Sequence, residues 1–156
     1  MTIEDDISFL EKVPTLALLG RQALRILAIG AESRYVHRGD TLFFAGDEAD
    51  GGYVVQEGTF GLRPPDATDA AGEFVVGPGA LLGEAALVTE TVRPATAIAL
   101  ESATVIRISR NLFLKMLEGY PDAARRLRDT LAARADQTVE DIEGVRGTLD
   151  GLSGKR

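Results

Sequence analysis

Gly83-Glu84-Ala85-Ala86-Leu87, a short loop, and then Arg93-Pro94-Ala95-Thr96 bring a glycine, a carboxylate and a guanidinium together within one short span. Glycine lets the backbone approach a ligand closely. A helix beginning at Glu84 leaves its first N–H groups without partners inside the helix, which favours an anion there. Arg93 adds a permanent charge and a planar fork of donors that suits phosphate oxygens. Glu84, when ionised, can only accept hydrogen bonds. The set therefore asks for an anion lying beside a hydroxyl. Taken one residue at a time each feature has an ordinary explanation: a first-turn Glu complements the helix macrodipole, and an Arg entering a strand is commonly a solvated charge.

A ribose fused to a phosphate, with its 2′-hydroxyl free, offers both groups, although the chemistry alone does not insist on it. The segment Leu82-Gly83-Glu84-Ala85-Ala86-Leu87 with Arg93-Pro94-Ala95-Thr96 resembles the phosphate-binding cassette of the cyclic nucleotide-binding domain family, the type found in the catabolite activator protein, protein kinase A regulatory subunits and cyclic nucleotide-gated channels. Tyr35, Gly39-Asp40-Thr41-Leu42-Phe43, Gly46-Asp47, Tyr53 to Gly58 and Gly77-Pro78-Gly79 precede it in the family's order, and Ala103 to Ile108, Phe113 and Pro121 follow. The resemblance implies a mainly β fold, an antiparallel jelly-roll barrel with N-terminal helices and a long C-terminal helix. It implies a ligand, cAMP first and cGMP second, and no cofactor. Leu82, Gly83, Glu84, Ala85, Ala86, Arg93, Pro94 and Ala95 are its implied binding residues. Asp50 is implied as a brace that orients the cassette arginine.

Two positions depart from the family pattern. Pro94 has no N–H to give the phosphate, so one charged hydrogen bond worth about 1.5–3 kcal/mol is missing. Affinity should fall without being lost, and the absent hydroxyl at this position counts against guanine selectivity. Leu82 replaces the usual Phe, an apolar exchange that alters packing rather than chemistry.

Composition agrees with a small module. A chain of 156 residues is long enough for a real core, and its formal net charge of −7 has the wrong sign for a duplex-binding surface. The sequence to Arg156 leaves no segment for a helix-turn-helix, so no direct DNA binding is expected. There is no cysteine, which removes disulfides and thiol chemistry and fits a reducing cytoplasm. The acidic start Met1 to Asp6 lacks the pattern of a secretory signal, and no run is long enough to insert in a membrane. His37 is the sole histidine, so neither a multi-histidine metal site of cupin type nor a catalytic triad is predicted, and the chain reads as non-catalytic.

Along the chain the texture runs helix, strands, helix, giving an N-terminal helical region over 1–33, a core over 34–108 and C-terminal helices over 109–156. Asp6 or Ser8 is expected to cap a first helix that breaks at Pro14, with a second over Leu16 to Ile29. Strands are expected at Arg34 to His37, Thr41 to Phe44, Tyr53 to Gln56, Thr59 to Arg63, Glu73 to Val76, Ala95 to Leu100 and Thr104 to Ile108. The loop Pro64 to Gly72 reads as a hairpin connection. Ser109 starts a short helix ended by Gly119 and Pro121. Beyond it Leu131, Ala135, Thr138, Ile142, Val145, Leu149 and Leu152 form a coiled-coil seam, predicting a parallel homodimer through the C-terminal helix. Gly144, Gly147, Gly151 and Gly154 predict a frayed tail. Arg125, Arg126, Arg128 and Arg134 alternate with acids and read as a solvated, ion-paired face. The signal is expected to leave through the C-terminal helix to a protein effector. The alternative keeps the fold without the ligand, as a scaffold for a partner protein, and a different anionic ligand is disfavoured by Glu84.

Overall fold

A computed structural model describes residues 2–65, 72–130 and 132–133. The predicted coiled-coil seam and the glycine-rich tail lie outside the described residues, as does most of the Pro64 to Gly72 loop.

The strands alternate apolar side chains between two cores, and this alternation builds the molecule. One sheet has the order β1 (Glu32–Val36), β10 (Ala103–Ser109), β4 (Gly51–Glu57) and β7 (Leu81–Leu82). A second runs β2 (Thr41–Phe43), β9 (Thr96–Ala99), β5 (Phe60–Arg63) and β6 (Phe74–Val76). A small third sheet pairs β3 (Glu48–Ala49) with β8 (Thr91–Val92). All the pairings are antiparallel. Tyr53, Val55 and Val105 of the first sheet meet Phe60, Ala97 and Ala99 of the second in one core. Their neighbours Val54, Ile106 and Ile108 point the other way into a core made with helices. β4 is thus covered on both faces, which explains its unbroken buried run from Gly51 to Val55. The result is the antiparallel jelly roll with flanking helices that the sequence implied.

The helical layer differs in detail from expectation. α1 (Ile3–Leu10) begins at Thr2, not at Asp6 or Ser8, because Thr2 and Asp5 form a capping box that satisfies two donors at once. The second expected helix is two: a single turn, α2 (Pro14–Ala17), and α3 (Arg21–Gly30). Gly20, at φ +88°, provides the break between them. Pro14 opens α2 at its first position rather than simply ending what precedes it. α4 (Arg110–Gly119) is capped by Ser109, whose hydroxyl accepts from the Leu112 N–H at 3.1 Å. Another helical segment occupies 121–130 and sets Ala123 and Leu127 against α3 and α4 residues in the helical core. Among the described residues no helix is long and apolar enough to cross a membrane.

Candidate functional site

The cassette starts where β7 leaves the first sheet. Leu82 pairs with Tyr53 and is buried in the inter-sheet core, a packing position. Gly83 follows at φ +84°, a conformation that favours glycine. A β-carbon there would collide with Nη1 of Arg93 and approach the Gly51 carbonyl oxygen at 3.2 Å. Glycine is therefore what allows the guanidinium to lie against the chain.

The expected helix from Glu84 is only a 3-10 turn, Ala85–Leu87. Ala86 N–H donates to the Gly83 carbonyl and Leu87 N–H to that of Glu84, both at 3.1 Å. Two of the amides that a longer helix start would leave open are engaged locally, so the predicted rank of free donors is shortened. The N–H groups of Val88 and Thr89 both converge on the Ala85 carbonyl, at 3.2 and 3.1 Å, and close the segment there.

Arg93 sits between β8 and β9. Its N–H donates to the Asp47 carbonyl and its own carbonyl accepts from Gly46 N–H, each at 2.8 Å, so the peptide is clamped to the 46–47 turn. The side chain is 4 % exposed, and Nη1 is buried without a hydrogen-bond partner. Its Cζ lies 4.5 Å from the ring centroid of Phe43 and 5.4 Å from that of Tyr53. Those rings stack on each other at 6.0 Å. Cation–π attraction of this desolvated kind is worth on the order of 2 kcal/mol, but it supplies no acceptor for Nη1. Burial pulls the guanidinium below its ordinary pKa, Tyr53, Asp50 and Asp47 push it back up, and Arg107 adds to the lowering. An arginine remains protonated at neutral pH all the same. A buried, charged donor without an acceptor is the chemical complement of an anion.

Gly83, Glu84, Ala85, Ala86, Arg93 and Pro94 line one cleft of about 240 Å³, together with residues of β3 and β8. The structure thus gathers six of the eight cassette residues, while Leu82 lies in the core and half-buried Ala95 leads into β9. Pro94 is exposed. Glu84 lines the cleft, yet its Oε2 accepts a hydrogen bond from the Thr15 hydroxyl at 2.6 Å.

Asp50 does not brace Arg93 by direct pairing. Its carboxylate accepts from Arg107 Nη2 at 2.7 Å, because Arg107 on β10 lies alongside β4 and reaches the carboxylate first. Its influence on Arg93 is through charge at longer range.

Arg110 was not singled out by sequence reasoning, although it joins the cassette to the helices. Its backbone N–H donates to the Asp50 carbonyl at 2.7 Å. Its Nη1 lies at 2.9 Å from the Ala49 and Thr89 carbonyl oxygens and 3.2 Å from that of Ala86. One side chain at the head of α4 therefore ties the middle of the 3-10 turn and the loop just after it to β3. The available signal was a basic residue at the first position of a helix, where the macrodipole disfavours it.

The family model described as "Cyclic nucleotide-binding domain" matches residues 33–120. Among solved structures, the chain is similar to a cyclic nucleotide-binding-like protein from Brucella abortus, 40% identical with a TM-score of 0.63, covering 73% of this chain and 98% of that one. It is also similar to the N-terminal domain of a transcriptional regulator from Streptomyces coelicolor, 31% identical with a TM-score of 0.75, covering 86% and 94%. A curated relative, lysophospholipase NTE1 of Pyricularia oryzae, is 28% identical over 109 residues, which is 68% of this chain but 7% of that enzyme. The chain therefore spans less than a tenth of that relative's length.

Proposed function

The chain belongs to the cyclic nucleotide-binding domain family, and on that premise we propose that it is a non-catalytic sensor domain that binds a 3′,5′-cyclic nucleotide, cAMP by preference, in the cleft between Arg93 and the 3-10 turn. The observation that carries this reading is the Arg93 guanidinium, buried and with Nη1 lacking an acceptor. A charged buried donor is costly to leave unpaired, and an anionic phosphate oxygen would remove that cost. In this reading Gly83 gives the phosphate room, Glu84 accepts from the ribose 2′-hydroxyl, and the exposed ring of Pro94 borders the ligand without donating to it. Arg110 carries any displacement of the turn to α4, since its Nη1 reaches the carbonyls of Ala86 and Thr89. The signal then passes to the helical segment beyond α4, along which the domain pairs with a second copy or meets a protein effector in the cytoplasm.

Thermal unfolding with cAMP, cGMP and 5′-AMP tests this. Ligand at one hundred times its dissociation constant adds about 2.7 kcal/mol, which for a domain of this size raises Tm by roughly 5–10 °C. The largest shift is expected with cAMP and the smallest with 5′-AMP. No shift with any of the three would leave the scaffold reading in its place.

A further inference from the structure

The Glu84 carboxylate that the proposed function assigns to the ribose is turned toward the N-terminal helices. Thr15, 5 % exposed, lies in α2 between Pro14 and Leu16, and its hydroxyl donates to Glu84 Oε2 at 2.6 Å. A hydroxyl bonded to a carboxylate at that distance is a charge-assisted contact. It joins two segments far apart in sequence, the helical layer and the cassette. Arg93 Nη1, by contrast, has no hydrogen-bond partner, Glu84 included. A cyclic nucleotide holds its 2′-hydroxyl a few ångström from its phosphate within one rigid ring system. The same carboxylate lines the cleft, so a 2′-hydroxyl beside Arg93 and the Thr15 hydroxyl draw on one acceptor group.

We propose that Thr15 is a specificity-determining residue that competes with the ligand's 2′-hydroxyl for Glu84, so that a ribose in the cleft releases α2 from the cassette. The inference rests on the reading of the cleft as a cyclic nucleotide site. Its energetic basis is the exchange of one charged hydrogen bond for another. The ligand gains the carboxylate, and a buried threonine hydroxyl loses it. A ligand without the 2′-hydroxyl cannot make the exchange and leaves the Thr15 contact in place.

Calorimetric titration with cAMP and with 2′-deoxy-cAMP, on the full chain and on Thr15→Val and Thr15→Ser, tests this. Valine keeps the shape of threonine and removes the competing hydroxyl. Thr15→Val is expected to bind cAMP about tenfold tighter, the effect of one hydrogen bond to a charged group. Its affinity for 2′-deoxy-cAMP is expected to stay within twofold of the parent. Thr15→Ser restores a hydroxyl and is expected to restore the parent ratio of the two affinities. Valine shifting both ligands by one factor, weakening cAMP, or leaving the ratio unmoved would overturn the competition while the cyclic nucleotide site stands. Failure of the parent chain to bind either ligand would overturn the site itself and the competition with it.

Discussion

Replacing Arg93 with methionine is expected to reduce cAMP affinity by roughly thirtyfold to several thousandfold while leaving stability within about 1 kcal/mol of the parent. The affinity loss follows from removing one partner of a buried charge pair, which costs about 2–5 kcal/mol. The stability result follows from two opposing terms of similar size. Methionine forfeits the cation–π contact with Phe43 and Tyr53, on the order of 2 kcal/mol. It also relieves the burial of a charged group whose Nη1 has no acceptor, a penalty of about 1–3 kcal/mol. Methionine fills the space with a flexible apolar chain, so no large cavity opens. Urea denaturation alongside calorimetry separates the two quantities. A structural arginine would behave in the opposite way, with stability falling by several kcal/mol and binding following only because the fold is lost.

Gly83→Ala should damage both properties. A left-handed backbone costs an alanine about 1–2 kcal/mol, and Gly83 stands at φ +84°. The new methyl would also push Arg93 Nη1 from its place and crowd the Gly51 carbonyl. Stability is expected to fall by about 1–2 kcal/mol, and cAMP affinity by at least thirtyfold, because misplacing the guanidinium forfeits most of what removing it does. Chemical denaturation and titration of the same sample give both numbers. Unchanged affinity with the expected destabilisation would mean that the guanidinium and the glycine do not act on one ligand.

The features legible in the sequence were those written as local pattern. The β4 run Tyr53-Val54-Val55 and the β10 run Val105-Ile106-Arg107-Ile108 announce strands, and their alternation is what feeds the two cores. The cassette glycine and arginine were readable because a positive φ and a buried fork of donors demand particular residue types. The three two-residue strands were not readable: Glu48–Ala49, Leu81–Leu82 and Thr91–Val92 are too short to show any period. The extent of the 3-10 turn was equally hidden, since Glu84-Ala85-Ala86-Leu87 suits a longer helix as well as a single turn.

Side chains whose partners come from distant segments were the other gap. Thr15 beside Pro14 looks like part of a helix start, and only the packing of α2 against the cassette brings it to Glu84. Asp50 could have turned to either of two arginines, and the pairing of β4 with β10 decides for Arg107. Arg110 bonds to backbone carbonyls, which carry no residue identity for a pattern to match.

The most direct measurement is a crystal structure of the domain with cAMP. A phosphate oxygen is expected within about 3 Å of Arg93 Nη1, at ordinary hydrogen-bond distance, in the cleft that Gly83 and Pro94 border. A bound nucleotide whose phosphate lies elsewhere, with Nη1 still lacking an acceptor, would contradict that placement.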